Sequence, residues 1–288
     1  MTLATNTFDP AGYKETQRRD WSAAAAGWSQ WWPKFEEGLG SVSERLIALA
    51  DVRAGDRVLD IATGIGEPAV MAAKRVAPGG HVVATDIAPD MLEIGRKRAK
   101  ELGLENIEFR EADAEELDLP GERFDVVLSR FGLMFLPDLA AALKRIHAVL
   151  GPEGRFAAAV WGPAERVPLI AMPMQAVARE LELPPPAPGT PGPLVLADAD
   201  ALEARVRQSG FADVRTERWD AVTPWESASE FVQFIQAIMA PVRRTLADQT
   251  PERRERVWQA VEQAATAYAD TDGSVRLTNE VIYVVGRR

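Results

Sequence analysis

Between about residues 55 and 160, short apolar runs alternate with helical patterns, and that alternation sharply limits the available architectures. Residues 57–61, 81–85, 106–110, 124–128 and 155–160 read as buried strands, rich in Val, Ile, Leu and Phe. Strands separated by helices need crossover connections, and crossovers give a largely parallel sheet covered on both faces. The intervening helix near residues 89–102 carries its own punctuation, with Pro89 at the first turn, basic residues late and Gly103 at the end. A doubly wound α/β core is therefore expected.

Three stretches fall outside this rhythm. The first 40 residues hold Trp21, Trp28, Trp31 and Trp32, followed by Ser41-Val42-Ser43-Glu44, which reads as a capping box opening a helix. The run from Pro184 to Pro193 is too proline-rich for regular structure and reads as a stiff surface loop. Residues 227–269 read as two helices, the first with Phe231, Phe234, Ile235, Ile238 and Met239 on one apolar face. Residues 276–285 read as a final strand. The expected division is a lid segment 1–40, a core 41–162, a Pro-rich cap insertion 163–197, and a C-terminal part 198–288 that holds the last two strands and a helical cap at 227–270.

Composition narrows the chemistry. With 288 residues, 47% hydrophobic and 26% charged, the chain is ordinary for a globular protein of one large domain. It has no cysteine and two histidines, His81 and His147, so thiol chemistry is excluded and no metal site is expected. A net charge of −10 argues against nucleic acid as a partner. The arginines at 243, 244, 253, 254 and 256 read as a solvated face. No apolar run suits a membrane span or a leader, which makes the cytoplasm the expected location.

The segment Asp60-Ile61-Ala62-Thr63-Gly64-Ile65-Gly66 places a glycine turn after the first strand, where bare backbone and helix N–H groups can approach a ligand. Gly64 to Ala69 also spells G-x-G-x-x-A, the dinucleotide form, with Asp86 twenty residues beyond Gly66. Asp60 opposes that reading, because an acid in the turn repels a pyrophosphate and welcomes an ammonium. Asp86, ending the second strand, is placed for two ribose hydroxyls, and Asp113, past the third, for an adenine amino group. Three acids disposed in this way suit S-adenosylmethionine, a cation without phosphate.

These stretches, together with Ala84-Thr85-Asp86-Ile87-Ala88-Pro89-Asp90-Met91-Leu92, Phe124-Asp125-Val126-Val127-Leu128-Ser129-Arg130-Phe131 and Leu150-Gly151-Pro152-Glu153-Gly154, resemble the class I S-adenosylmethionine-dependent methyltransferases. Within that class they are most similar to the ubiquinone/menaquinone C-methyltransferase-like (type 11) branch. The resemblance implies a seven-stranded, mostly parallel sheet in the order 3-2-1-4-5-7-6, capped by helices from the N-terminal segment and the insertions. It implies that Asp60, Ala62, Thr63, Gly64 and Gly66 face the methionine portion. Asp86, Ile87 and Met91 would meet the adenosine, Asp113 and Ala114 the adenine, and Ser129 and Arg130 the sulfonium end.

The acceptor is less legible. Trp28, Trp31, Trp32, Phe131, Phe234 and Ile238 are expected around it, since indole faces attract cations and exclude water. A small hydrophobic or aromatic molecule is the expected acceptor, and homodimerisation stays open. If a base is needed, Glu67, Arg130 and Tyr13 lie nearest. Two other readings stand beside this one: a nicotinamide-dependent oxidoreductase, and a non-catalytic module that binds S-adenosylmethionine.

Overall fold

The computed structural model describes residues 8–187 and 189–288. In chain order the elements are α1 (Pro10–Leu49), β1 (Arg57–Ile61), α2 (Ala69–Val76), β2 (His81–Asp86), α3 (Pro89–Glu101), β3 (Ile107–Glu111), β4 (Phe124–Arg130), α4 (Leu139–Val149), β5 (Leu150–Trp161), α5 (Pro168–Glu180), α6 (Ala199–Gln208), β6 (Ala212–Trp225), α7 (Ala228–Ile238), α8 (Ala240–Ala247), α9 (Pro251–Thr266) and β7 (Val275–Arg287). The seven strands form one sheet in the order β3-β2-β1-β4-β5-β7-β6. Neighbours from β3 through β5 are parallel, while β7 runs antiparallel to both β5 and β6. The expected architecture and the role of the final strand are thus borne out.

Consecutive residues of β1, β2 and β4 are buried, so both faces of the central sheet are covered, as parallel strands require. That placement brings the carboxyl ends of β1, β2 and β4 to one edge, where open α/β sheets hold their ligands.

Two expectations change. Ser41-Val42-Ser43-Glu44 does not open a helix, because α1 runs without a break from Pro10 to Leu49 and crosses residue 40. Asp9 caps α1 instead, its carboxylate accepting the Ala11 N–H at 3.2 Å, with Pro10 in the first turn. Ser43 is buried and accepts a hydrogen bond from Arg130 Nη1 at 2.7 Å, so tertiary packing has overridden a local capping signal. Residues 227–269 form three helices rather than two. The backbone leaves helical geometry at Met239 (ψ 73°), and Pro241 then starts α8.

Helix α5, inside the expected cap insertion, packs on α9; α7 packs on α8, α9 and α1. Together they roof the ligand edge of the sheet. No helix among the described residues is long and apolar enough to cross a membrane.

Candidate active site

Beneath this roof lies a cavity of about 480 Å³. Its floor is the turn after β1 and the ends of β2 and β4; its walls come from α1, α5, α7 and the Pro191–Pro193 stretch. Of the residues expected to hold a ligand, Ala62, Thr63, Gly64, Asp86, Ile87, Met91, Asp113, Ala114 and Arg130 all line it. So do Glu67, Tyr13, Trp28, Trp32, Phe131, Phe234 and Ile238.

Asp60, Gly66, Ser129 and Trp31 do not line it. Gly66 has φ +101°, and a Cβ there would meet Phe109 and Val70 at 3.4 Å and the Gly95 backbone of α3 at 3.5 Å, so glycine suits both the turn and its close packing. Trp31 turns away to stand 6.5 Å from Trp225 and 5.9 Å from Phe234, ring centre to ring centre, and belongs to the roof's core. Asp60 and Ser129 are fully buried behind the turn.

The turn is built from unusual backbone. Gly64 has φ +57° and open space where its Cβ would stand, on the cavity side of the loop. Ala62 (φ 55°) and Phe131 (φ 60°) adopt the left-handed conformation without being glycine. Such strain tends to gather at functional sites. Phe131 stacks flat on Trp161, with centroids 3.9 Å apart, which holds it in place.

Electrostatically the floor is acidic and incompletely satisfied. Asp86 Oδ2 accepts the Gly64 N–H at 2.8 Å and Oδ1 the Ala88 N–H at 2.9 Å. Each oxygen keeps a second lone pair for a further donor, such as a ribose hydroxyl. Burial raises the Asp86 carboxyl above its ordinary range, and those backbone N–H groups work against the rise.

Asp60 is more exposed to this cost. Burial raises its carboxyl to about 7. The Thr63 hydroxyl, Arg130 and the Ala69 amide stand near enough to pull the other way. None makes a hydrogen bond of good geometry, and both Asp60 oxygens are unpartnered among the described residues.

Thr63 Oγ1, Ser129 Oγ and Glu67 Oε2 are unpartnered as well, so five orphaned oxygens gather at the ends of β1 and β4. Leaving a buried polar group unsatisfied costs roughly 1–3 kcal/mol each.

The cations already have partners. Arg98 Nη2 donates to Glu67 Oε1 at 3.0 Å, and Arg130 Nη1 donates to Ser43 and faces Glu36 at 3.5 Å. Both guanidiniums lie over Trp32, at 4.6 Å and 5.3 Å from its ring centre. Burial, the largest influence on Glu67, raises its carboxyl. The Tyr13 hydroxyl is raised too, by burial and then by Asp20, and donates to Pro191 O at 3.3 Å, which makes it a poor base here.

Asp113 holds an unexpected partner. Lys14 of α1 reaches Asp113 Oδ2 at 2.7 Å and Glu115 at 2.6 Å, while Asp113 Oδ1 accepts the Glu115 N–H. The acid expected at an adenine amino group is thus bridged to the roof.

A methyltransferase-domain family profile matches residues 58–154. The ubiquinone/menaquinone biosynthesis C-methyltransferase of Pseudomonas putida is 46% identical over 111 residues, covering 38% of this chain and 43% of that protein. The aklanonic acid methyltransferase of a Streptomyces species is 40% identical over 116 residues, covering 40% of this chain and 53% of that protein. The chain thus spans about half the length of the curated relatives it matches.

Among solved structures, a phosphoethanolamine N-methyltransferase of Haemonchus contortus with S-adenosylmethionine aligns at TM-score 0.59 and 16% identity, over 98% of this chain and 60% of that one. The YcgJ protein of Bacillus subtilis aligns at TM-score 0.57 and 20% identity, over 86% of this chain and 98% of that one. Those two likenesses show the fold. None of these likenesses supports the nicotinamide reading of the G-x-G-x-x-A spelling.

Several wall residues were not foreseen: Lys14, Gln17, Asp20 and Phe35 of α1, with Trp161. The α1 set was readable in principle. Positions 14, 17, 21, 28, 32 and 35 recur at helical spacing on one face of α1.

Proposed function

We propose that this chain is an S-adenosylmethionine-dependent methyltransferase acting on a small, hydrophobic or aromatic molecule. The observation that carries the reading is the cluster of orphaned oxygens around Asp60 under the open face of Gly64. Asp86 stands beside it with lone pairs to spare. An ammonium over the turn is drawn to Asp60 through water, and ribose hydroxyls fit Asp86; a pyrophosphate would meet acids and cations that already have partners. Bound there, S-adenosylmethionine supplies an electrophilic methyl group on a sulfonium.

The chain's own part is then orientation and exclusion of water. Trp28, Trp32, Phe131 and Phe234 wall the cavity with aromatic faces, which favour a cationic sulfonium and a planar acceptor alike. Holding the two partners in line corresponds to roughly 7–11 kcal/mol of avoided entropy and solvent reorganisation. Glu67, half-paired with Arg98 and raised by burial, is the residue we assign to accept a proton when the acceptor is neutral. The described part of the 1–40 segment and the helices within 163–197 and 227–270 form the acceptor cap. An acceptor screen that follows S-adenosylhomocysteine release tests the reading. Turnover with an apolar aromatic substrate is expected, whereas binding of S-adenosylmethionine with no turnover on any acceptor would leave only a binding module.

A further inference from the structure

A second depression, of about 520 Å³, lies against the first and is lined by Thr16, Arg19, Asp20, Ala23, Ala240, Arg243 and Arg244. Asp20, Ala240 and Arg244 line both spaces, so the outer one is the vestibule of the aromatic cavity. Three guanidiniums from two helices, α1 and α8, converge there in a chain whose net charge is −10.

Their local partners do not cancel them. Arg244 pairs with Asp20, the one acid in the lining. Among the described residues Arg19 has only Glu15, one turn back and 3.8 Å away. Arg243 donates to the Ala23 carbonyl at 2.9 Å, which uses one of its five N–H donors and neutralises none of its charge. The vestibule is left cationic at the mouth of an apolar chamber, in a chain whose net charge is −10.

Resting on the methyltransferase reading, we propose that the acceptor is an amphipathic anion. Its apolar, ring-bearing body enters the cavity, and a carboxylate, sulfonate or phosphate group stays in the vestibule on Arg19, Arg243 and Arg244. Guanidinium groups suit this task because they grip such anions through paired N–H donors and stay charged at every working pH. The anion is then a handle held at the mouth, and the methylated atom lies on the body beyond it. Arg244 also explains why Asp20 is there: it keeps the guanidinium aimed across the rim until a stronger anion replaces it.

Two fluorescent probes isolate the anionic contact without a known substrate. Anilinonaphthalene sulfonate and N-phenyl-1-naphthylamine share an aromatic body and differ by the sulfonate. In the full chain with S-adenosylhomocysteine, Arg243→Gln/Arg244→Gln is expected to weaken the sulfonate probe about tenfold and leave the neutral probe unchanged. Asp20→Asn, which releases Arg244, is expected to hold or tighten the sulfonate probe. If Arg244 mattered only as Asp20's structural partner, Asp20→Asn would instead mimic the arginine variants. Equal loss of both probes in the arginine variants, or loss of the sulfonate probe in Asp20→Asn, would overturn the proposal. Calorimetry with S-adenosylmethionine alone reads the cofactor site separately, so failure there leaves the probe result standing on its own.

Discussion

Asp60 and Asp86 are both buried acids at strand ends, yet their surroundings set them different tasks. Asp86 is anchored by two backbone N–H groups and presents its remaining lone pairs, so Asp86→Ala should remove charge-assisted bonds worth roughly 1.5–3 kcal/mol each. The expected result is a cofactor affinity about a hundredfold weaker by calorimetry, in a protein that still melts cooperatively; unchanged affinity would show that the ribose lies elsewhere.

Asp60 has no such anchor, and its carboxyl moves from 3.8 to about 7. The folded chain therefore keeps a proton that the unfolded chain releases near 3.8. Its contribution to stability is full below that value and is lost as pH rises through about 7. Glu67 and Asp86 are raised too and act in the same direction. The ligand-free protein should lose thermal stability between pH 4 and 7, and S-adenosylmethionine should raise its melting temperature more at pH 7.5 than at pH 5. Asp60→Asn should flatten both trends. A ligand effect that is the same at both pH values would count against an ammonium at Asp60.

At the scale of elements, α1 decides whether the cavity is open. Its second half is fixed to the core, where Tyr283 donates to Val42 O at 3.2 Å and Arg45 pairs with Glu217 at 2.6 Å. Its first half is held over the cavity by side-chain pairs, chiefly Lys14 with Asp113 and Glu115, and Arg18 with Glu111. Partly exposed pairs of this kind contribute on the order of 1 kcal/mol or less. Lys14→Ala should therefore speed amide hydrogen exchange by up to about fivefold across residues 10–26 and leave residues 41–49 unchanged. Uniform exchange along the helix would show that it moves as one body.

This element was also the hardest to read from sequence. Its tryptophans were visible, but Ser41-Val42-Ser43-Glu44 resembles a helix start so closely that it hides the unbroken run of α1 across residue 40. The Met239 break in 227–269 was hidden for a related reason: a helical hydrophobic period survives a one-residue interruption.

For the whole molecule, the parallel sheet was legible because buried parallel strands leave short, strongly apolar runs between clear helix punctuation, while the strand order followed from the resemblance to the methyltransferases. The floor of the site was legible for the same reason: the ends of β1, β2 and β4 fix which side chains can meet. The walls were not, since α1, α5, α7 and the Pro191–Pro193 stretch are distant in sequence and meet only through packing. Lys14 on Asp113, and the vestibule arginines, are contacts between α1 and the rest of the chain that no local pattern announces. The account stands or falls on the ligand beneath that roof. The most direct measurement is calorimetric titration of the full chain, at pH 7.5, with S-adenosylmethionine and separately with NADH. One-to-one binding of S-adenosylmethionine, with no heat from NADH, is the expected result; saturable NADH binding with none for S-adenosylmethionine would contradict it.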